Sequence, residues 1–459
     1  MSKLTRHDVS EFLQTRPRML EKYNFQSGFD TYIKELTRNL PRTRDPSRFD
    51  EYILHEVNRI LAGLIDIDKL KCQIQSYRFL SSADHHGLLN YKLLYNSNIL
   101  LGELVKHLKL PYIIVLSTGN ITLKNISYPR GFYFKKQKFN FFPKNKSQIP
   151  VYLAKLALCD VNKNGLESFI KNFFDSGLSF EERRFLEYLF CDCLEIEKAL
   201  VSYEKFSDQI TFLNYRIWKY YFDNGMKDQC SEMIYLQSNY IFKAYIIDEL
   251  KKSDSLISRI LFDEKIRELY IKNFDGIPCC WGSSYGSHFF WGISEKERSI
   301  SLQYNAHSKS LVGENFILKM EKDEIIDKLS NEKILPTTFF DFLIKVFLEG
   351  YLALGGFNQI EYLPLMQQAH VRSLKEIGEY ELADVFASRV TDGLICGLMP
   401  FSFDSGLDLM WHYNSKDGRF NGNLDRGLGQ KELDQMLNTK VSDLIAAGIE
   451  TMMKITDKG

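Results

Sequence analysis

Two adjacent histidines behind a carboxylate, Asp84-His85-His86-Gly87, are the residues of this chain best equipped for chemistry. An imidazole transfers protons near neutral pH, and a carboxylate beside it can orient a ring nitrogen and raise its basicity. The same three side chains are ligand types for a divalent metal. The polar stretch that follows carries Asn90, Asn96, Asn98, Asn120, Tyr128 and Arg130. Asparagine amides offer both donor and acceptor to a ligand. Arg130, set on the stiff turn Tyr128-Pro129-Arg130-Gly131, offers a planar fork for a carboxylate or phosphate. The pattern points to an enzyme acting on a small polar, anionic metabolite, with hydrolysis or group transfer as the favoured chemistry. Asp84, His85 and His86 are its catalytic or metal-holding residues, and the asparagines, Tyr128 and Arg130 are its substrate contacts.

Adjacent histidines on extended backbone face opposite sides, so both reach one metal only if the loop bends, which Gly87 permits. A third ligand then comes from elsewhere, with His288 and His370 as candidates. In the plainer alternative, Asp84 caps the next segment and the histidines are ordinary polar residues. Asn96 or Asn98 can likewise be a helix cap. Ser117-Thr118-Gly119-Asn120 can present backbone N–H groups to an anion or simply join two strands. The triplet resembles that of the DHH phosphoesterases, whose Asp-His-His follows a strand and binds divalent metal. That resemblance covers three residues. The only candidate for the family's earlier aspartate motif, Asp66-Ile67-Asp68, lies too close to Asp84 for an intervening strand–helix unit, so the family is not assigned.

A second constellation, Leu354-Gly355-Gly356-Phe357-Asn358-Gln359-Ile360-Glu361-Tyr362, adds Gln359 and Tyr362 as binding candidates, with a glycine C-cap as the alternative for its Gly pair. From Lys124 to Lys146 lysines interleave with aromatics and no acidic residue occurs. Such a segment can bind single-stranded nucleic acid by stacking and phosphate contacts. Arg130-Gly131-Phe132-Tyr133-Phe134 resembles part of the RNP1 pattern of RNA-recognition domains, but Tyr133 stands where that pattern has Gly or Ala. A half-exposed hairpin with solvated lysines is the favoured reading of this segment. No Walker A sequence, dinucleotide fingerprint, nucleophile elbow or His-Glu-x-x-His helix occurs, so no nucleotide cofactor is implied.

The elements that must position these groups follow from periodicity. Two helical starts, Asp8-Val9-Ser10-Glu11 and Asp45-Pro46-Ser47, open a helical first 65 residues. Cys72 to Leu80 alternates like a strand, Leu93 to Leu108 is an amphipathic helix, and Tyr112 to Leu116 is a strand buried on both faces. Ile121 to Leu123 and Phe132 to Phe134 read as further strands. Asn164 to Phe274 reads as almost wholly helical. Strands follow at His288–Ile293 and Ser299–Tyr304, then helices interrupted at Gly355-Gly356 and Met399-Pro400-Phe401. The expected fold is α+β (mixed α/β) and helix-dominated, with a small sheet near residues 70–135 and a second β element near 287–320. Three segments, 1–160, 161–275 and 276–459, are distinguishable, and they can also form one continuous globule.

Composition narrows the class. Hydrophobic residues at 44% and charged residues at 26% belong to a folded chain rather than a disordered one. Lys+Arg and Asp+Glu balance at 59 each, so no global field draws the protein to nucleic acid or anionic lipid. Eight cysteines without C-x-x-C spacing fit a reducing compartment, and Cys191, Cys193, Cys279 and Cys280 read as buried thiols. The amino terminus has no apolar signal core, and no apolar run approaches the roughly 20 residues a span needs. The expected location is cytoplasmic, without membrane. The competing class is a non-catalytic interaction or ligand-binding protein built on the long aromatic helices.

Overall fold

The computed structural model describes residues 26–38, 40–42, 46–155, 177–282 and 285–456, together with 12, 14 and 16. The helical start expected at residues 8–11 lies outside them. The fold is a helix-dominated α+β arrangement around one four-stranded parallel sheet. Its strands are β1 (Phe79–Ser81), β2 (Tyr112–Ser117), β5 (Glu232–Gln237) and β6 (Leu352–Leu354), in the order β6-β1-β2-β5. Between β2 and β5 in sequence comes a separate hairpin, β3 (Gly131–Phe134) and β4 (Gln137–Asn140). The second β region is present, as short antiparallel strands between Trp281 and Pro336.

Each strand of the parallel sheet feeds two cores. Phe79, Ile113, Val115, Met233, Tyr235, Leu352 and Leu354 belong to one. Leu80, Tyr112, Ile114, Leu116, Ile234, Leu236 and Ala353 belong to the other. Burial on both faces removes the polar half of the usual alternation, which is why these strands read as continuous apolar runs. The first core is completed by helices α3 (Lys92–His107) and α4 (Phe206–Trp218). The second is completed by α1 (Arg48–Leu61), α2 (Ile67–Ser76), α5 (Ser238–Leu250) and α7 (Gln359–Glu376); α6 (Lys322–Ser330) packs at its margin. Both cores draw side chains from residues 1–160, 161–275 and 276–459 alike.

Several local expectations are met. Ser47 caps α1 with a full capping box, its side chain accepting from Phe49 N and Asp50 returning to Ser47 N. Others are corrected. Most of Cys72 to Leu80 is the end of α2, and only Phe79–Ser81 is strand. Ile121 to Leu123 is turn, held by Leu123 N on Ile149 O and Val151 N on Ile121 O. The span 177–274, expected to be helical, contains the longest contact partner of β2, the strand β5, whose run Met233-Ile234-Tyr235-Leu236 is apolar without a break. Gly355-Gly356 does not cap a helix; it follows β6. A Cβ at Gly355 would lie 2.2 Å from Gln359 Cδ, so the pair serves close backbone approach. Cys193 and Cys280 are buried, Cys191 is half-buried, and Cys279 is exposed on a left-handed turn (φ 67°).

His370 lies inside the second core, ringed by Phe274 and Phe347 at 4.6 Å and Phe339, Phe386 and Tyr270 at 5.5 to 5.8 Å. Both its ring nitrogens lack hydrogen-bond partners, and burial pushes its pKa down to about 3. An unsatisfied buried polar group costs about 1–3 kcal/mol, and a leucine of similar volume carries no such cost. His370→Leu is therefore expected to raise the unfolding free energy by about 1–3 kcal/mol in denaturant titration. A loss of stability would show that the imidazole has a required partner.

Candidate functional site

The candidate site is the edge of the sheet where all four parallel strands end, the usual place for ligands in such sheets. Ser81 leads to Asp84-His85-His86, Ser117 to Thr118-Gly119-Asn120, Gln237 to Ser238-Asn239, and Leu354 to Gly355-Gly356 and Gln359. The first of these loops is shaped by a bulge. Ser81 pairs with Val115 and His85 with Thr118, so four residue steps oppose three. Thr118 N donates to Asp84 O (2.8 Å) and His86 N to Thr118 O (3.0 Å), so the pairing resumes beyond the extra residue.

The bulge sends Asp84 toward α3. Asn98 Nδ2 donates to Asp84 Oδ2 at 2.7 Å and also to Leu94 O. Asp84 Oδ1 and Asn98 Oδ1 are both left without a hydrogen-bond partner. Protonation gives the Asp84 carboxyl a donor that the ionised form lacks. The electrostatics agree. Full burial raises the Asp84 pKa to about 7, against the opposing hydrogen bond from Asn98. Cys396 stands near enough that burial and the Asp84 charge together push its thiol up to about 12.

His86 is also fully buried, and both its ring nitrogens are occupied. Nε2 lies 2.8 Å from Ser207 O and Nδ1 lies 2.7 Å from Ser117 Oγ. A carbonyl only accepts, so Nε2 carries the proton toward Ser207 O, while the Ser117 hydroxyl beside Nδ1 donates to Leu236 O at 2.9 Å. Burial lowers the His86 pKa to about 4, against the Ser207 carbonyl and the Asp208 charge. His86 thus ties β1, β2 and α4 together. His85 is half-buried; its Nδ1 meets Asn125 Oδ1 (2.7 Å) and Ser127 Oγ (3.2 Å), and burial lowers its pKa. The Tyr235 hydroxyl donates to His85 O at 3.2 Å.

The other sequence candidates divide. Gln359 joins the edge: its Oε1 accepts from Ser82 Oγ and its Nε2 donates to Ala353 O, both at 3.0 Å. Asn120 joins it as well, donating to Pro336 O and accepting from Asn239. Asn90 Oδ1 accepts from Tyr133 N (2.7 Å), and Asn96 holds Phe401 through both its backbone groups. Tyr128 and Arg130 staple the β3–β4 hairpin instead, Tyr128 to Asn140 and Arg130 Nε to Phe142 O at 2.7 Å. Tyr362 is buried in the second core beside Phe342. His288 accepts from Tyr304 N among the short strands, so neither it nor His370 meets Asp84. Among the described residues, no three His, Cys, Asp or Glu side chains stand together as a metal site. Phe132, Phe134, Phe139 and Phe142 are interior and packed against other phenylalanines, so they offer no face to a base.

Sequence reasoning missed two groups. On α4, Ser207, Thr211 and Asn214 form a buried polar stripe at four- and three-residue spacing. Asn214 accepts from Leu89 N (2.7 Å) and donates to Gly87 O (2.9 Å), gripping the loop from behind. Three polar residues on one face of an apolar helix were the available signal. The second group lies around α5. Lys205, Lys243 and Tyr152 converge on Glu332, and Arg59 bridges Glu56 to Asp208 in a bidentate pair at 2.7 and 2.8 Å. These residues are far apart in sequence, and no local spacing marks them. Comparison with protein-family models, curated proteins and solved structures returns no match. No helix among the described residues is long and apolar enough to cross a membrane.

The raised Asp84 pKa makes a pH prediction. Its folded value (about 7) exceeds the ordinary ~3.9, so the contribution is fully present below pH ~4 and lost as pH rises through about 7. Full ionisation removes about 4 kcal/mol of stability. Asp84→Asn keeps a donor toward Asn98 and cannot ionise. Thermal melts across this range should show wild-type stability falling relative to the variant as pH rises; parallel curves would place the Asp84 pKa in the ordinary range.

Proposed function

We propose that the protein is an enzyme acting on a small anionic metabolite at the carboxyl ends of its parallel strands, with Asp84 exchanging the proton. The observation that carries this reading is the state of Asp84: a fully buried carboxyl on a bulge at a strand end, with one oxygen unpaired and a pKa near 7. A general acid or base works best when its pKa lies near ambient pH. Asp84 is favoured over His86 for this role, because both His86 nitrogens are held by protein groups and its pKa is low. His86 then acts as a positioning residue that fixes the bulge. Hydrolysis or group transfer is the reaction class, with the loops at Ser117–Asn120 and Gly355–Gln359 contacting the substrate.

The same burial favours a second reading. Asp84, His86 and Asn98 are closed off from solvent, which suits a scaffold beneath a non-catalytic ligand site. One experiment separates the two. Carboxylate and phosphate metabolites are screened by thermal shift, and turnover of those that stabilise the protein is followed in wild type and Asp84→Asn. The enzyme reading expects kcat to fall about 100-fold or more, with KM little changed and the pH limb near 7 abolished. Wild-type turnover and pH profile in a folded Asp84→Asn protein would remove Asp84 from the chemistry. Tight binding without turnover in either protein would favour the binding protein.

A further inference from the structure

Glu332 sits in an unusual place for a carboxylate. Helix α6 ends at Ser330, and Glu332 adopts the left-handed conformation (φ 57°) just past that end, where glycine is the usual residue. What its side chain touches accounts for it. Three donors from three separate elements converge on the single oxygen Oε1: Lys205 Nζ at 2.5 Å, Tyr152 OH at 2.9 Å and Lys243 Nζ at 3.4 Å. Lys205 precedes α4, Lys243 is in α5, and Tyr152 is in the short turn Val151–Leu153.

Contacts other than Glu332 also hold the donors. Tyr152 N donates to Gly119 O at the end of β2. The Tyr152 and Tyr240 rings meet edge to face at 4.9 Å, and both lysine ammonium groups lie over the two rings, Lys205 at 4.8 and 5.0 Å and Lys243 at 5.8 and 5.4 Å. Two ammonium groups this close repel each other unless an anion lies between them. The seat is therefore built for an oxyanion. The anion now in it comes from a peripheral turn, and about a fifth of each lysine and a quarter of Glu332 face solvent. The seat adjoins the candidate site, since Asn239 bonds Asn120 and Asn120 bonds Pro336, four residues beyond Glu332.

We propose that Lys205, Lys243 and Tyr152 form the binding seat for the carboxylate or phosphate group of the ligand, and that Glu332 is a resident surrogate which the ligand displaces. The inference rests on the reading of this edge as an anionic-metabolite site and names the residues that hold the charged group. No covalent step is involved. Binding exchanges one oxyanion for another, and the 331–333 turn moves out.

The test uses the full chain, with malonate and inorganic phosphate as separate probes. In Glu332→Gln the seat keeps its donors and loses its anion. Calorimetric titration is expected to show at least one probe binding about tenfold more tightly than to wild type. Adding Lys243→Met to the Glu332→Gln protein should abolish that gain. Malonate binding alone marks the seat as carboxylate-selective, and phosphate binding alone as phosphate-selective; either supports the seat. A folded Glu332→Gln protein that binds neither probe more tightly than wild type would make the cluster a fixed ion pair and overturn the proposal. If Glu332→Gln does not fold, hydrogen exchange on the wild type decides. Amides of residues 331–333 should exchange faster at saturating probe, and unchanged exchange overturns the displacement. These readouts do not depend on turnover, so their failure leaves the role of Asp84 to be judged separately, and the converse holds.

Discussion

A parallel sheet buried on both faces leaves its polar side chains only the strand ends. The candidate site depends on that constraint. The strands β1, β2, β5 and β6 contribute apolar side chains to two cores, and Ser81, Asp84, His86, Ser117, Gln237 and Gln359 gather where the strands stop. Once gathered and dry, each polar group needs a partner, because an unmet one costs about 1–3 kcal/mol. His86 satisfies this by bridging Ser117 and Ser207, and Asn214 by gripping Gly87 and Leu89. Asp84 Oδ1 and Asn98 Oδ1 stay unmet, and burial favours the protonated carboxyl. A carboxyl poised near neutrality is thus a consequence of where the fold places it.

The edge has two parts with different characters. Around Asp84 the network is closed and fully buried, and charge is suppressed: the carboxyl pKa is raised, the His86 pKa is lowered, and the Cys396 thiol is raised. Around Glu332 the network is open to solvent and charge is kept. Burial alone pushes the Glu332 carboxyl up, but Lys205, Tyr152 and Lys243 reverse the sign and hold it below the usual carboxylate range. Helix α4 joins the two parts, since its first turn carries Ser207 against His86 and Asp208 against Arg59, and Lys205 stands just before it.

How much of this could be read from the sequence depended on whether the cause was local. The helix start at Ser47, helix α3 and the buried strand β2 were legible because their patterns lie within a few residues. So was the placement of Asp84-His85-His86 at a strand end. Strand β5 was not, because Met233-Ile234-Tyr235-Leu236 has neither helical nor two-residue periodicity, and its neighbours are helices. Strand β6 is three residues long, and the Gly pair after it resembled a helix cap. Arg130 was read as a ligand clamp from its stiff turn, while its guanidinium bonds the hairpin it belongs to. The Lys205–Lys243–Glu332 cluster is assembled by tertiary contact alone, and no spacing in the chain announces it.

Burial at the end of β1 keeps a proton on Asp84 up to about neutral pH. The most direct measurement is a titration of the Asp84 side-chain carboxyl carbon by NMR, assigned by comparison with Asp84→Asn. A single transition with its midpoint near 7 is expected. A midpoint near the ordinary ~3.9 would mean that Asp84 is ionised at neutral pH despite its burial.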